Sequence, residues 1–167
     1  MEINQLLRSL QEIIDRTHCG EFVWQIDNLS GKIQRARNSR DREISSHVFY
    51  SHQNGYKMCL TVYAGPTALW FYYCIMIGPF DNILRWPFNR DIELSLINQR
   101  TGLVETSWTY KCWKYAALEK PTTENNKKRF GYNYAFVPIE QILNNPDLSQ
   151  NNKIFIKCYV KPGENEH

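Results

Sequence analysis

Two hydrophobic periodicities divide the chain. From the start, Ile3, Leu6, Leu10, Ile13 and Thr17 recur at spacings of three, four, three and four, with Leu7 and Ile14 widening the stripe. This is a heptad seam of a little more than two repeats on a helix roughly 25 Å long. So short a helix is marginal alone, so its stripe must be buried, either on its own domain or against copies of itself. Ile and Leu mixed at both seam positions favour more than two strands.

After Gly20 the period becomes two. In "EFVWQID", Phe22, Trp24 and Ile26 share a face; in "GYKMCLTVYA", Tyr56, Met58, Leu60 and Val62 oppose Lys57, Cys59, Thr61 and Tyr63. "ALWFYYCIMI" is apolar on both faces, as expected of a central strand covered on both sides. "DIELSLIN" and "KIFIKCYV" alternate again, and Asn54-Gly55, Gly65-Pro66, Gly78-Pro79 and Thr101-Gly102 punctuate the runs. A short helix is predicted in "PIEQILN" and a helical turn in "GKIQRAR". Many short strands with few helices predict a mainly β, antiparallel sandwich or barrel.

Composition narrows the function classes. The 167 residues suit one domain, and 43% hydrophobic content suffices for a core. The net charge of +3 is too small to imply nucleic acid by itself. Lys32, Arg35, Arg37, Arg40 and Arg42 read as a solvated basic face. Five cysteines without a C-x-x-C pair suit a reducing compartment, so the chain is expected to be cytoplasmic, with no cofactor and no metal. The longest apolar run is about half a membrane span, so no membrane insertion is expected. No nucleophile elbow, phosphate loop or paired acid–base carboxylates appear, and no enzyme is expected.

The most unusual stretch is "KRFGYNYAF", residues 128–136, where two cations precede aromatic residues alternating with Gly131, Asn133 and Ala135. It reads either as a half-buried strand with wet tyrosine hydroxyls or as a ligand-reading edge. Stacked bases over a cationic groove are the nucleic-acid version of the second reading, and no nucleic-acid partner is expected given the small charge.

"GEFVWQIDNL", "HVFYSHQNGYKMCLTVY", "GPFDNILRWPFN" and "KIFIKCYV" resemble the C-terminal domain of the tumour necrosis factor receptor-associated factors, the TRAF or MATH domain. The resemblance covers about residues 20–161. It implies an eight-stranded antiparallel β-sandwich preceded by a short coiled-coil helix that makes a homotrimer. The expected divisions are 1–19 for the end of the coiled coil, 20–162 for the sandwich and 163–167 for a tail. Ile3, Leu6, Leu10 and Ile13 would form the trimer interface. Such domains bind extended cytoplasmic tails of tumour necrosis factor or Toll/interleukin-1 type receptors, or of their adaptors, by strand addition at a sheet edge. The alternative is a MATH module selecting substrates for ubiquitin ligation. Any ligase activity would belong to N-terminal modules outside this chain.

Carried over by residue, the resemblance implies a peptide site at Tyr63, Tyr72, Trp108, Leu118, Lys128, Phe130, Gly131 and Tyr132. Thr61 stands where many relatives have arginine. Tyr115, Ala116 and Ala117 replace three serines, and Leu118 takes an aromatic position. "KRFGY" is similar to the "KGFGY" stretch of the branch serving Toll and interleukin-1 receptors, with Arg129 replacing a glycine. Gly131 would let a ligand backbone approach, Phe130 and Tyr132 would offer rigid apolar area, and Lys128 or Arg129 a charge-assisted or cation–π contact. "LRWPFN", among the most specific pieces, marks Trp86 as structural.

Overall fold

The structure, a computed structural model, describes residues 2–16, 20–111, 119–123, 127–130 and 135–163, with the side chains of 11–16 and 127–130 outside that description. A helix, α1 (Glu2–Arg16), leads into β1 (Glu21–Ile26), α2 (Leu29–Asn38), β2 (Glu43–Ser45), β3 (Phe49–Tyr50), β4 (Lys57–Ala64) and β5 (Ala68–Met76). There follow β6 (Ile92–Ile97), β7 (Val104–Tyr110), β8 (Lys127–Phe130), β9 (Phe136–Pro138), α3 (Ile139–Leu143) and β10 (Ile154–Val160).

The strands form two antiparallel sheets. One has the order β1-β10-β6-β7; the other runs β2-β4-β5-β8, with β3 also on β4 and β9 also on β5. Because β2 and β3 share one edge of β4, and β8 and β9 one edge of β5, the ten strand segments among the described residues fill eight strand positions. The eight-stranded sandwich of the sequence reading is the fold observed.

Alternation explains which side chains meet inside. Trp24, Ile26, Ile92, Leu94, Leu96, Ile154 and Ile156 of one sheet face Met58, Leu60, Val62, Leu69, Phe71, Tyr73 and Ile75 of the other in one continuous core. Tyr110 is buried and its hydroxyl donates to the Phe71 carbonyl at 2.8 Å, tying the sheets together. Each such side chain removes apolar surface worth about 1.5–3 kcal/mol from water.

Two readings change. "GKIQRAR" is more than a turn: α2 has ten residues, and Leu29, Ile33 and Ala36, spaced four and three, press into the core. Nor is the basic stretch wholly solvated, because Arg37 reaches across to the β4–β5 turn. The loop before β6 is held by Trp86, whose Nε1–H donates to the Asp81 carbonyl at 2.8 Å while its ring meets Tyr56 edge-on at 5.1 Å. Among the described residues, no helix is long and apolar enough to cross a membrane.

Candidate functional site

Residues paired across antiparallel strands point to the same side of a sheet. Between β4 and β5, the pairs Met58–Ile75, Leu60–Tyr73 and Val62–Phe71 face the core. Cys59–Cys74, Thr61–Tyr72 and Tyr63–Trp70 therefore face outward. β9 extends the last of these, because Phe136 pairs with Trp70. Three aromatic rings from three adjacent strands thus lie in a row: Tyr63 meets Trp70 edge-on at 6.0 Å, and Trp70 meets Phe136, tilted, at 6.1 Å.

Tyr72 stands beside this row, one outward position along β5. Its phenol is held above the usual tyrosine range, first by burial and then by the neighbouring Tyr63 phenol. Both rings are half-buried, amphipathic surfaces. Thr61, opposite Tyr72, is only 1% exposed, and its hydroxyl lies 3.4 Å from the Cys74 sulfur. Where the resemblance implies an arginine, the sheet carries a small buried hydroxyl.

The β4–β5 turn fixes the end of the row. The Gly65 amide donates to the Ala68 carbonyl at 3.0 Å. The Arg37 guanidinium from α2 donates to the Gly65 carbonyl at 2.9 and 3.1 Å and to the Pro66 carbonyl at 2.7 Å. These charge-assisted bonds hold the turn that carries Trp70.

The edge beside this face is broken. β8 pairs Phe130 with Tyr73 and Lys127 with Met76, whereas β9 pairs Phe136 with Trp70. The two segments therefore pair with β5 in registers that differ by three residues. The Phe71 amide donates to the Ala135 carbonyl at 2.9 Å, and the Ile139 amide to the Thr67 carbonyl at 3.0 Å. Odd positions of β5 thus bond this edge, and Lys127, Arg129 and Phe136 turn their own backbone groups away from β5. Among the described residues, no strand pairs with the far side of β8 or β9.

The expected site residues are only partly gathered. Tyr63 and Tyr72 share the outer face. Lys128 and Phe130 occupy register positions opposite the core-facing Ile75 and Tyr73, while Arg129 is opposite the outward Cys74. Trp108 belongs to the other sheet, opposite Leu94, and stacks on the core residue Phe71 at 5.3 Å. Leu118, Gly131 and Tyr132 lie outside the described residues. Trp70 and Phe136 were not anticipated: Trp70 hides in a run apolar on both faces, where only register counted through the Gly65-Pro66 turn would reveal it.

On α1, Ile3 is 73% exposed and Leu6, Leu7 and Leu10 are exposed beside it; the Ile13 side chain is outside the description. Among the described residues, no group of three or more His, Cys, Asp or Glu side chains could hold a metal ion. Cys59, Cys74 and Cys158 are buried thiols. The arrangement suits recognition of an extended chain through backbone pairing and aromatic contact.

Comparison with known proteins agrees with this architecture. Residues 41–157 match the family described as TRAF/meprin, MATH domain. TNF receptor-associated factor 6-B of Xenopus laevis is 30% identical over 95% of this chain and 31% of its own length. TNF receptor-associated factor 2 of Homo sapiens is 37% identical over 56% of this chain and 20% of its own length. The chain thus spans a third or less of these curated relatives. Among solved structures, Notothenia coriiceps TRAF5 superposes with a TM-score of 0.81 at 24% identity, covering 99% of this chain and 84% of that one.

Proposed function

This chain belongs to the TRAF/MATH domain family, and from that premise we propose that it binds the cytoplasmic tails of clustered receptors, or of their adaptors, as the peptide-reading domain of a trimeric signalling adaptor. The observation that carries the proposal is the open β8–β9 edge lying beside the outward face of Tyr63, Tyr72 and Trp70. An extended peptide added to that edge satisfies backbone groups that β5 leaves turned outward, while alternate side chains reach the aromatic face. Backbone pairing supplies affinity and the aromatic face supplies selection.

Trimerisation is the second half of the proposal. An exposed apolar stripe on a short helix calls for partners, and copies of itself satisfy the heptad spacing. Three weak sites on one trimer meeting three clustered tails would raise avidity by about 10²–10⁴. Receptor clustering would then be the signal, read in the cytoplasm without catalysis by this domain.

Thr61 supplies no charge, so the ligand's acidic group is assigned to the edge cations, with Arg129 at the outward register position. Fluorescence anisotropy against two sets of extended peptides tests this reading. One set carries Pro-x-Glu followed by an aromatic or acidic residue, the other Pro/Ser-x-Gln-Glu. Binding by the first set, weakened in Tyr72→Ala, is expected. Binding by neither set, or equal binding by the variant, would overturn the assignment.

A further inference from the structure

The row Phe136–Trp70–Tyr63 runs across the strands and ends at an open edge. Each ring stands directly opposite the next in register: Phe136 with Trp70, and Trp70 with Tyr63. The outermost ring, Phe136, is 44% exposed. Its backbone N–H and carbonyl also point outward, because the alternate positions bond to β5: the Phe71 amide donates to the Ala135 carbonyl and the Ile139 amide to the Thr67 carbonyl, with Val137 opposite Leu69 between them. Side chain and backbone of one residue therefore offer the same partner position.

Pro138, two residues along, has no N–H to give, so on this segment Phe136 alone can exchange a full pair of backbone bonds with an added strand. The segment pairs with β5 in a register shifted by three residues from that of β8. It is consequently a second, short docking point on the same edge.

We propose that Phe136 is a specificity-determining residue: a ligand strand places an aromatic side chain directly opposite it, adding a fourth rung to the Tyr63–Trp70–Phe136 row. The proposal rests on the strand-addition reading and deepens it. The partner is an extended peptide whose aromatic residue is additional to its acidic anchor. Its ring lies on the outward side of the sheet, since two residues exchanging backbone bonds share a face. The rung is pre-organised: Trp70 is fixed between Phe136 and Tyr63, and the turn behind it is clamped by Arg37. An aromatic residue meeting fixed rings loses little freedom on docking, and an aliphatic residue there would forgo the ring contact.

The test is a double-mutant cycle measured by anisotropy. The host is whichever Pro-x-Glu peptide binds, with its flanks rewritten as alternating Ser and Thr. A single Trp is moved stepwise along the flanks and each peptide is compared with its Ala counterpart. One position is expected to tighten binding about three- to tenfold. In Phe136→Ala that gain should vanish, whatever the substitution does to the host peptide; Phe136→Leu serves if the alanine variant does not fold. No tightening at any position, or a gain undiminished in the variants, overturns the inference while host-peptide binding keeps strand addition standing. A host panel with no binder at all removes strand addition and the inference together.

Discussion

The indole of Trp70 lies so close over Gly65 that a Cβ there would stand 2.1 Å from its Cζ3 atom. Glycine at the turn is therefore part of the aromatic row: it makes room for the ring that links Tyr63 to Phe136. Gly65→Ala should tilt Trp70 out of the row. Overpacking of this kind costs about 1–3 kcal/mol. A lower urea midpoint with altered tryptophan emission is the expected result, and an unchanged midpoint would contradict it.

Tyr72 gives the face a pH signature. Its phenol is raised from the ordinary value of 10.0 by burial and by Tyr63. The folded state thus holds this proton more tightly than the unfolded chain. The associated stability is complete below the unfolded pKa and is lost as pH rises through the folded one. Burial raises the Cys158 thiol in the same direction. The melting temperature should fall as pH climbs above about 10, with a shallower fall in Tyr72→Phe. Identical alkaline profiles would show that Tyr72 is not coupled to folding.

Trp86 anchors the loop before β6 rather than any ligand. Its ring meets Tyr56, and its Nε1–H is bonded to the Asp81 carbonyl. Trp86→Ala removes both, and a loss of about 2–4 kcal/mol is expected by thermal or urea unfolding. A variant as stable as the parent would refute the structural role.

How much of this was legible in the sequence depended on how each segment meets water. β1, β6 and β10 alternate because one face packs into the core. β4 alternates in sequence because Lys57, Thr61 and Tyr63 mark its other face, even though Cys59 and Thr61 are buried too. Inward sets such as Met58, Leu60 and Val62 could therefore be read directly. β5 could not be divided into faces: Trp70 and Tyr72 are as apolar in the sequence as the buried Phe71 and Tyr73. The outward row became visible only with the β4–β5 register. α2 was under-read because Gly31 and the surrounding cations obscure Leu29, Ile33 and Ala36. Trp108 was carried over by alignment, and its position opposite Leu94, half-buried against the core, could not be read from the pattern alone. The edge itself resists reading from pattern because its register shifts by three between Phe130 and Phe136.

The α1 stripe separates a trimeric adaptor from a monomeric substrate-selecting module. Leu10, 46% exposed, lies on the seam. Leu10→Asp should convert a trimer to a monomer in sedimentation experiments while leaving the sandwich's circular dichroism and single-site peptide affinity unchanged. A parent chain that sediments as a monomer at high concentration would contradict the trimer proposal.

Strand addition at the β8–β9 edge is the central claim, and amide hydrogen exchange with and without a saturating bound peptide tests it most directly. The N–H groups of Lys127, Arg129 and Phe136 are turned away from β5, so an added strand should slow their exchange. Slowing at these amides, with β1 and β7 at the other sheet's edges unaffected, is the predicted result. Protection confined to β1, β7 or α1, with the β8–β9 amides exchanging as before, would contradict it.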